Sequence, residues 1–295
     1  MALATARKAL PAYAHKFSPK KFTQHQLFAC LVLKTLFETD YRGVVVQLQD
    51  NPTLQQDLGL SRVPHFTTLQ KAAHRLLMSA KARRLLHATV KLKMGRRKRV
   101  ALAAIDSTGL EAQHTSTYYI YRRSRVPNLW QTTTYKRFPK LGVICDCKQH
   151  LILGMMTKRG PSPDVNQFQM TLKAAVDHVR IQHLLADAGY DSEMNHVYAR
   201  DERGIRTTIP PRAGRPTRKP PTGRWRRWMK QSFARMEQLK QMNQKTIFGQ
   251  RWQVETVFSM IKRRLGCALN ARTYWSQCRQ MRLMAITHNV MVLYL

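Results

Sequence analysis

The sequence predicts an α/β protein in which a mixed sheet flanked by helices follows a helical amino-terminal region, with a basic insertion ahead of the last helix of the sheet region. Three observations predict it. Apolar residues recur at helical spacing up to about residue 98; the pattern then changes to short apolar runs; and from Val100 onward those runs alternate with helical segments. With 295 residues, 43% of them hydrophobic, the chain has material for a sizeable core.

Taken in order, residues 1–21 are basic and irregular. In TQHQLFACLVLKTLF, Leu27, Leu31, Val32, Leu33 and Leu36 fall at helical spacing behind Thr23, a residue suited to an N-cap. A second helix covers YRGVVVQLQD, where Pro52 stops it or starts the next turn. A short helix, a turn around Gly59 and Pro64, and a longer helix from Thr67 complete a helical unit with a basic tail. Lys91, Lys93, Arg96, Arg97, Lys98 and Arg99 mark its end, so the expected division is 1–98 and 99–295. That run suits either a solvated linker or phosphate contact.

Beyond it, Val100–Ile105, Lys140–Cys147 and Leu151–Thr157 read as strands, the last two joined by a short hairpin. GPSPDVNQFQMTLKAAVDHV reads as loop then helix, with Asp164 as the candidate N-cap and Phe168, Leu172, Ala175, Val176 and Val179 on one face. HLLADA is the next strand, and GIRTTIPPRAG holds a short one closed by Pro210 and Pro211. From Arg203 to Lys230 there are ten Lys or Arg, five Pro and no Asp or Glu, which predicts a loop or disordered insertion over about 203–245. Trp225 and Trp228 inside it suit base stacking or packing alike. A final helix begins near Thr246, its stripe being Val254, Val257, Phe258 and Ile261.

Fifty-one Lys and Arg against 16 Asp and Glu leave a formal charge of +35, a field that attracts a polyanion. An anionic membrane surface competes, but no stretch approaches the roughly 18 apolar residues of a spanning helix. The first residues lack the long apolar run of a secretory signal, which predicts an intracellular protein. The five cysteines, at 30, 145, 147, 267 and 278, make no disulfide or zinc pattern, and no histidine adds one.

Two apolar strands deliver a carboxylate at the same place: AIDSTG ends on Asp106 and LLADAG on Asp187. If they are neighbours, the carboxylates stand together at one end of the sheet, where ligand sites of open sheets lie. On the final helix, at about 100° per residue, Phe248, Arg251, Glu255 and Lys262 share a strip roughly a quarter turn from the apolar stripe. A solvated Arg251–Glu255 ion pair would account for two of them without function. Three close carboxylates, however, repel unless they hold cations, and sparse acidic oxygens suit Mg²⁺, with Mn²⁺ able to substitute. Two such ions about 4 Å apart drive phosphodiester chemistry. Asp191 reads as a turn or cap residue.

AIDSTGLE, LADAGYDS and the spacing Phe248-x2-Arg251-x3-Glu255-x6-Lys262 resemble the DDE transposases of bacterial insertion sequences, in the subgroup signed by Tyr-x2-Arg-x3-Glu-x6-Lys. The resemblance implies an RNase H-like fold with Asp106, Asp187 and Glu255 as catalytic, metal-binding triad. It implies that Arg251 and Lys262 contact DNA, and that the basic insertion, with Arg224, Arg226 and Arg227, grips it, as does Lys136. Phe248 departs from the family tyrosine. The expected activity is Mg²⁺-dependent cleavage at transposon ends and 3′-OH strand transfer. Expected partners are double-stranded DNA (terminal inverted repeats and target) and a second copy of the chain, in a cytoplasmic, nucleoid-associated protein. The alternatives are a metal-dependent nuclease without strand transfer and a catalytically idle DNA-binding regulator. Tyr118 to Arg125 suits a DNA-facing loop or an ordinary exposed one.

Overall fold

The computed structural model describes all residues except 18, 96–97, 113–137, 213–222, 242–245 and 295. Lys136 and the Tyr118–Arg125 stretch therefore lie outside the described residues.

The amino-terminal region is helical throughout: α1 (Ala2–Ala9), α2 (Gln24–Leu36), α3 (Tyr41–Asp50), α4 (Pro52–Asp57), α5 (Phe66–Leu76) and α6 (Ser79–Met94). The Thr23 hydroxyl accepts from the Gln26 amide while the Gln26 side chain accepts from the Thr23 amide, a reciprocal cap that fixes where α2 starts. Asp40 and Asn51 cap α3 and α4 one-sidedly, Asp40 accepting from the Arg42 and Gly43 amides and Asn51 from the Leu54 amide. Helix α1 corrects the expectation of an irregular start, and it packs on α2 and α6.

A five-stranded mixed sheet follows, in the order β4-β3-β1-β5-β6. Its strands are β1 (Arg99–Gly109), β3 (Phe138–Asp146), β4 (Ile152–Gly160), β5 (Arg180–Ala186) and β6 (Arg206–Thr208), while β2 (Glu111–Ala112) pairs with β7 (Ala268–Leu269) outside it. β1, β3 and β4 form an antiparallel meander, and β5 and β6 run parallel to β1. β1 does not stop at Asp106: its pairing with β5 ends at Ile105–Ala186, but it pairs with β3 out to Gly109.

Helix α7 (Phe168–Val176) covers one face, with Phe168, Leu172 and Ala175 against Ala103, Ile105, Leu184 and Ala186. The other face carries Ala104, Val143, Cys145 and Leu185, and one continuous core runs from there through Val254, Val257 and Ile261 into Phe28, Leu31 and Leu86 of the amino-terminal helices. After β5 come α8 (Glu193–Val197) and a wider turn over Tyr198–Glu202, then α9 (Arg224–Gln241), α10 (Trp252–Leu265) and α11 (Tyr274–Val292). Helix α9 corrects the expectation of a loop or disordered insertion in its described part. Helix α11 is an element the periodicity did not show. Within it, the buried Asn289 side chain accepts from the Ile152 amide at 2.8 Å and donates to the Ile152 carbonyl and the Thr89 hydroxyl, satisfying backbone at the sheet edge. All five cysteines are free, and four are buried. No helix among the described residues is long and apolar enough to cross a membrane.

Candidate active site at the end of the sheet

Side chains alternate along a strand, so Asp106 shares the face of Ala104, and Asp187 that of Leu185. Both belong to the face covered by α10. Each stands one residue past the last β1–β5 pair, Ile105 with Ala186, so the two carboxylates leave adjacent strands at the same level. Each also accepts from the next backbone amide, Ser107 N and Ala188 N, at 2.7 Å, which fixes its direction. Asp187 is exposed and opens the short 3-10 turn Ala188–Tyr190.

The third candidate arrives on α10. The turn Ile247–Arg251 abuts β1 and β5 and feeds into the helix, whose buried stripe of Val254, Val257, Phe258 and Ile261 is the one expected. Glu255 is left at the edge, half exposed. Arg251 reaches both sides of the gap: one guanidinium nitrogen lies 2.6 Å from Glu255 Oε1 and the other 3.9 Å from Asp106 Oδ2. The i, i+4 pair is therefore present, but it is not an isolated surface pair, because the cation is shared with the strand. Asp106, Glu255, Phe258, Lys262 and Arg263 line an open cleft of about 520 Å³.

Burial pushes the Asp106 carboxyl up to about 6, and neighbouring Asp164 and Asp187 push the same way, against the Ser107 amide and Arg251. An all-oxygen donor set is of the kind that suits a hard divalent ion, and a guanidinium lies between two of the carboxylates. The carboxylates are gathered to one end of the sheet, yet among the described residues no three His, Cys, Asp or Glu side chains lie close enough together to hold a metal ion as they stand.

Asp164 does not act as an N-cap. Its Oδ1 accepts from Lys140 Nζ at 2.6 Å and Ser107 Oγ at 2.5 Å, bracing the residue after Asp106 from the opposite face. Sequence reasoning missed this support; the Ser directly after Asp106 was its one visible trace.

Asp191 closes the 3-10 turn, its amide donating to the Ala188 carbonyl at 3.1 Å, as expected of a turn or cap residue, but its side chain does more. Its side chain has no exposed surface and takes Arg226 in a forked contact, with Nη2 at 2.8 Å and Nε at 3.0 Å from Oδ2, while the Arg212 amide donates to it at 2.9 Å. Burial alone would raise its pKa, but the His196 and Arg226 side chains, the Arg212 amide and the guanidinium charge outweigh it and hold the carboxyl down at about 2. Arg226, expected on DNA, is thus engaged within the protein. Glu193 accepts from the Trp225 and Arg226 amides at 3.0 Å each, capping the start of α9. Trp225 and Trp228 stack on Arg200, at 4.4 and 4.5 Å from the ring centres, so in this structure they pack. Arg224 and Arg227 remain exposed on α9. Phe248 packs edge-on against Phe233 of α9, ring centres 5.1 Å apart, a contact that needs the ring and no hydroxyl.

No curated protein matches the chain in sequence. Among solved structures it is similar to a piggyBac transposase in a synaptic complex with hairpin DNA, with a TM-score of 0.49 and 10% identity, over 100% of this chain and 71% of that one. The family model described as "Transposase DDE domain" matches residues 101–290, from β1 to the end of the carboxy-terminal helix. That match takes in both strand-end carboxylates and the helix carrying Glu255, and the chain belongs to the transposase DDE domain family.

Proposed function

We propose that the chain is a DNA transposase that cleaves at transposon ends and joins the freed 3′-OH to target DNA, with Asp106, Asp187 and Glu255 holding divalent ions. What supports this is that Asp106 and Asp187 stand at the same level on neighbouring strands while Asp106 and Glu255 line one cleft, in a chain whose family is the transposase DDE domain. The sheet order, a three-strand antiparallel meander beside two parallel strands, supports an RNase H-like reading.

A bound Mg²⁺ or Mn²⁺ pair would activate the attacking oxygen and stabilise the leaving one. The chain's own residues do the rest. Asp106 and Asp187 are rigid mounts because their backbones belong to the sheet or the turn it feeds. Lys262 and Arg263, on the wall of the cleft, meet backbone phosphates as they enter. Arg224 and Arg227 extend the basic surface along α9. Residues 1–98 bind the terminal inverted repeats and pair two copies on DNA, in the cytoplasm at the nucleoid.

Asp106→Asn, Asp187→Asn and Glu255→Gln proteins are expected to bind a transposon-end duplex normally and to give no cleavage in Mg²⁺. Retained cleavage in any of the three rejects the assignment. Joined products from pre-cleaved ends distinguish strand transfer from nuclease action alone.

A further inference from the structure

We infer that Arg251 is an exchangeable internal cation: without DNA its guanidinium bridges Asp106 and Glu255 and opposes divalent-ion uptake, and a DNA phosphate draws it out, so that DNA and metal bind cooperatively. The inference rests on the reading of Asp106, Asp187 and Glu255 as metal ligands.

Three observations carry it. The two terminal nitrogens of Arg251 address different carboxylates on different elements, at 2.6 Å and 3.9 Å, so the side chain spans the gap that an ion shared by those carboxylates would fill. Among the described residues Arg251 is the cation in ion-pair range of Asp106. Lys262 and Arg263, the cations that line the cleft, make no ion pair with the three carboxylates, which leaves them to attract the polyanion while Arg251 balances the acids.

The exchange is chemically balanced. The Arg251 side chain is 24% exposed and stands on the turn that leads into α10, so it can turn outward without unfolding that helix. A phosphate offers it the same forked geometry as a carboxylate. Its departure removes one positive charge from the acids, and an incoming divalent ion supplies two. Because coupling is reciprocal, whatever factor DNA adds to metal affinity, metal adds to DNA affinity. Ions would therefore assemble on DNA and not on the idle protein, which limits stray cutting.

The test is Mn²⁺ binding to the full-length protein, read by the electron paramagnetic resonance signal of free Mn²⁺, with and without a blunt duplex. Arg251→Gln is expected to bind Mn²⁺ about 10-fold tighter than the unaltered protein in the absence of DNA, within the usual range of coupling factors. Arg251→Lys, which keeps the charge, should stay near the unaltered protein. Adding the duplex should tighten Mn²⁺ binding to the unaltered protein and leave Arg251→Gln nearly unchanged. Arg251→Met is the second neutral variant should Arg251→Gln not fold. If the neutral variant binds no tighter, while Glu255→Gln abolishes binding, the exchange is wrong and the metal site stands. If Arg251→Gln/Glu255→Gln keeps the gain, the ion lies elsewhere and the exchange is equally overturned. Absence of Mn²⁺ binding in every form, with and without duplex, overturns the exchange and the metal reading together.

Discussion

Asp187 and Asp191 follow the same strand, one turn of chain apart, and meet opposite environments. Asp187 is exposed and accepts from a backbone amide. Asp191 has no exposed surface and is met by Arg226, the Arg212 amide and, at 3.8 Å, His196. The contrast extends to their neighbourhoods: at the open end of the sheet Asp106 is pushed up to about 6, whereas Asp191 is held down at about 2. An acid that the fold neutralises is part of its framework. One that burial pushes up, with a single guanidinium shared between it and another acid, is the kind proposed above to take a partner from outside.

The comparison is most sharply broken by removing one partner of the closed pair. Arg226→Ala, or Asp191→Asn, is expected to cost about 3 kcal/mol, the low end for a broken buried pair because Arg226 keeps some contact with water. Asp187→Asn should stay within about 0.5 kcal/mol of the unaltered protein, as surface changes do. Urea unfolding of the three variants measures the difference, and equal losses would erase the distinction drawn here.

Acid sharpens it next. The folded pKa of Asp191 lies below that of an unfolded aspartate, near 3.9, so its contribution is fully present above about pH 4 and is lost as pH falls through about 2. A shift of that size corresponds to roughly 2.5 kcal/mol. Denaturant midpoints taken down this window should fall more steeply for the unaltered protein than for Asp191→Asn. The smallest expected change concerns Arg227, the exposed neighbour of Arg226. Arg227→Ala should leave stability within about 0.5 kcal/mol but lower the slope of log binding constant against log salt by about one, as the proposed phosphate contact of Arg227 requires.

These two neighbouring arginines show where the sequence was legible and where it was not. Periodicity located β1, the β3–β4 hairpin, α7, β5 and α10, and hence the places of Asp106, Asp187 and Glu255, because each is a local pattern of one apolar face. It did not show α11, whose buried positions include Gln277, Thr287, His288 and Asn289 and run around the helix, so no single stripe stands out. Helix α9 was hidden for a different reason. Its composition is that of a solvated segment, and what docks it is Glu193 and Asp191, more than thirty residues away in the chain. Whether an arginine faces DNA or a buried acid depends on such distant partners, and a run of Arg-Trp-Arg-Arg carries no mark of which is which. The same limit applies to Arg251: its spacing from Glu255 was visible, and its reach to Asp106 was not.

The apolar core that runs without a break from Phe28 and Leu86 through Val257 to Val143 and Leu185 has a consequence for how such a molecule can diversify. The strands that aim Asp106 and Asp187 are covered by α10, and the amino-terminal helices back α10 and α11 in turn, so exchanging those helices for an unrelated unit would bare the buried side of the helix that carries Glu255. Change is therefore easier by point substitutions on the outward surfaces, one side chain at a time, than by shuffling whole modules.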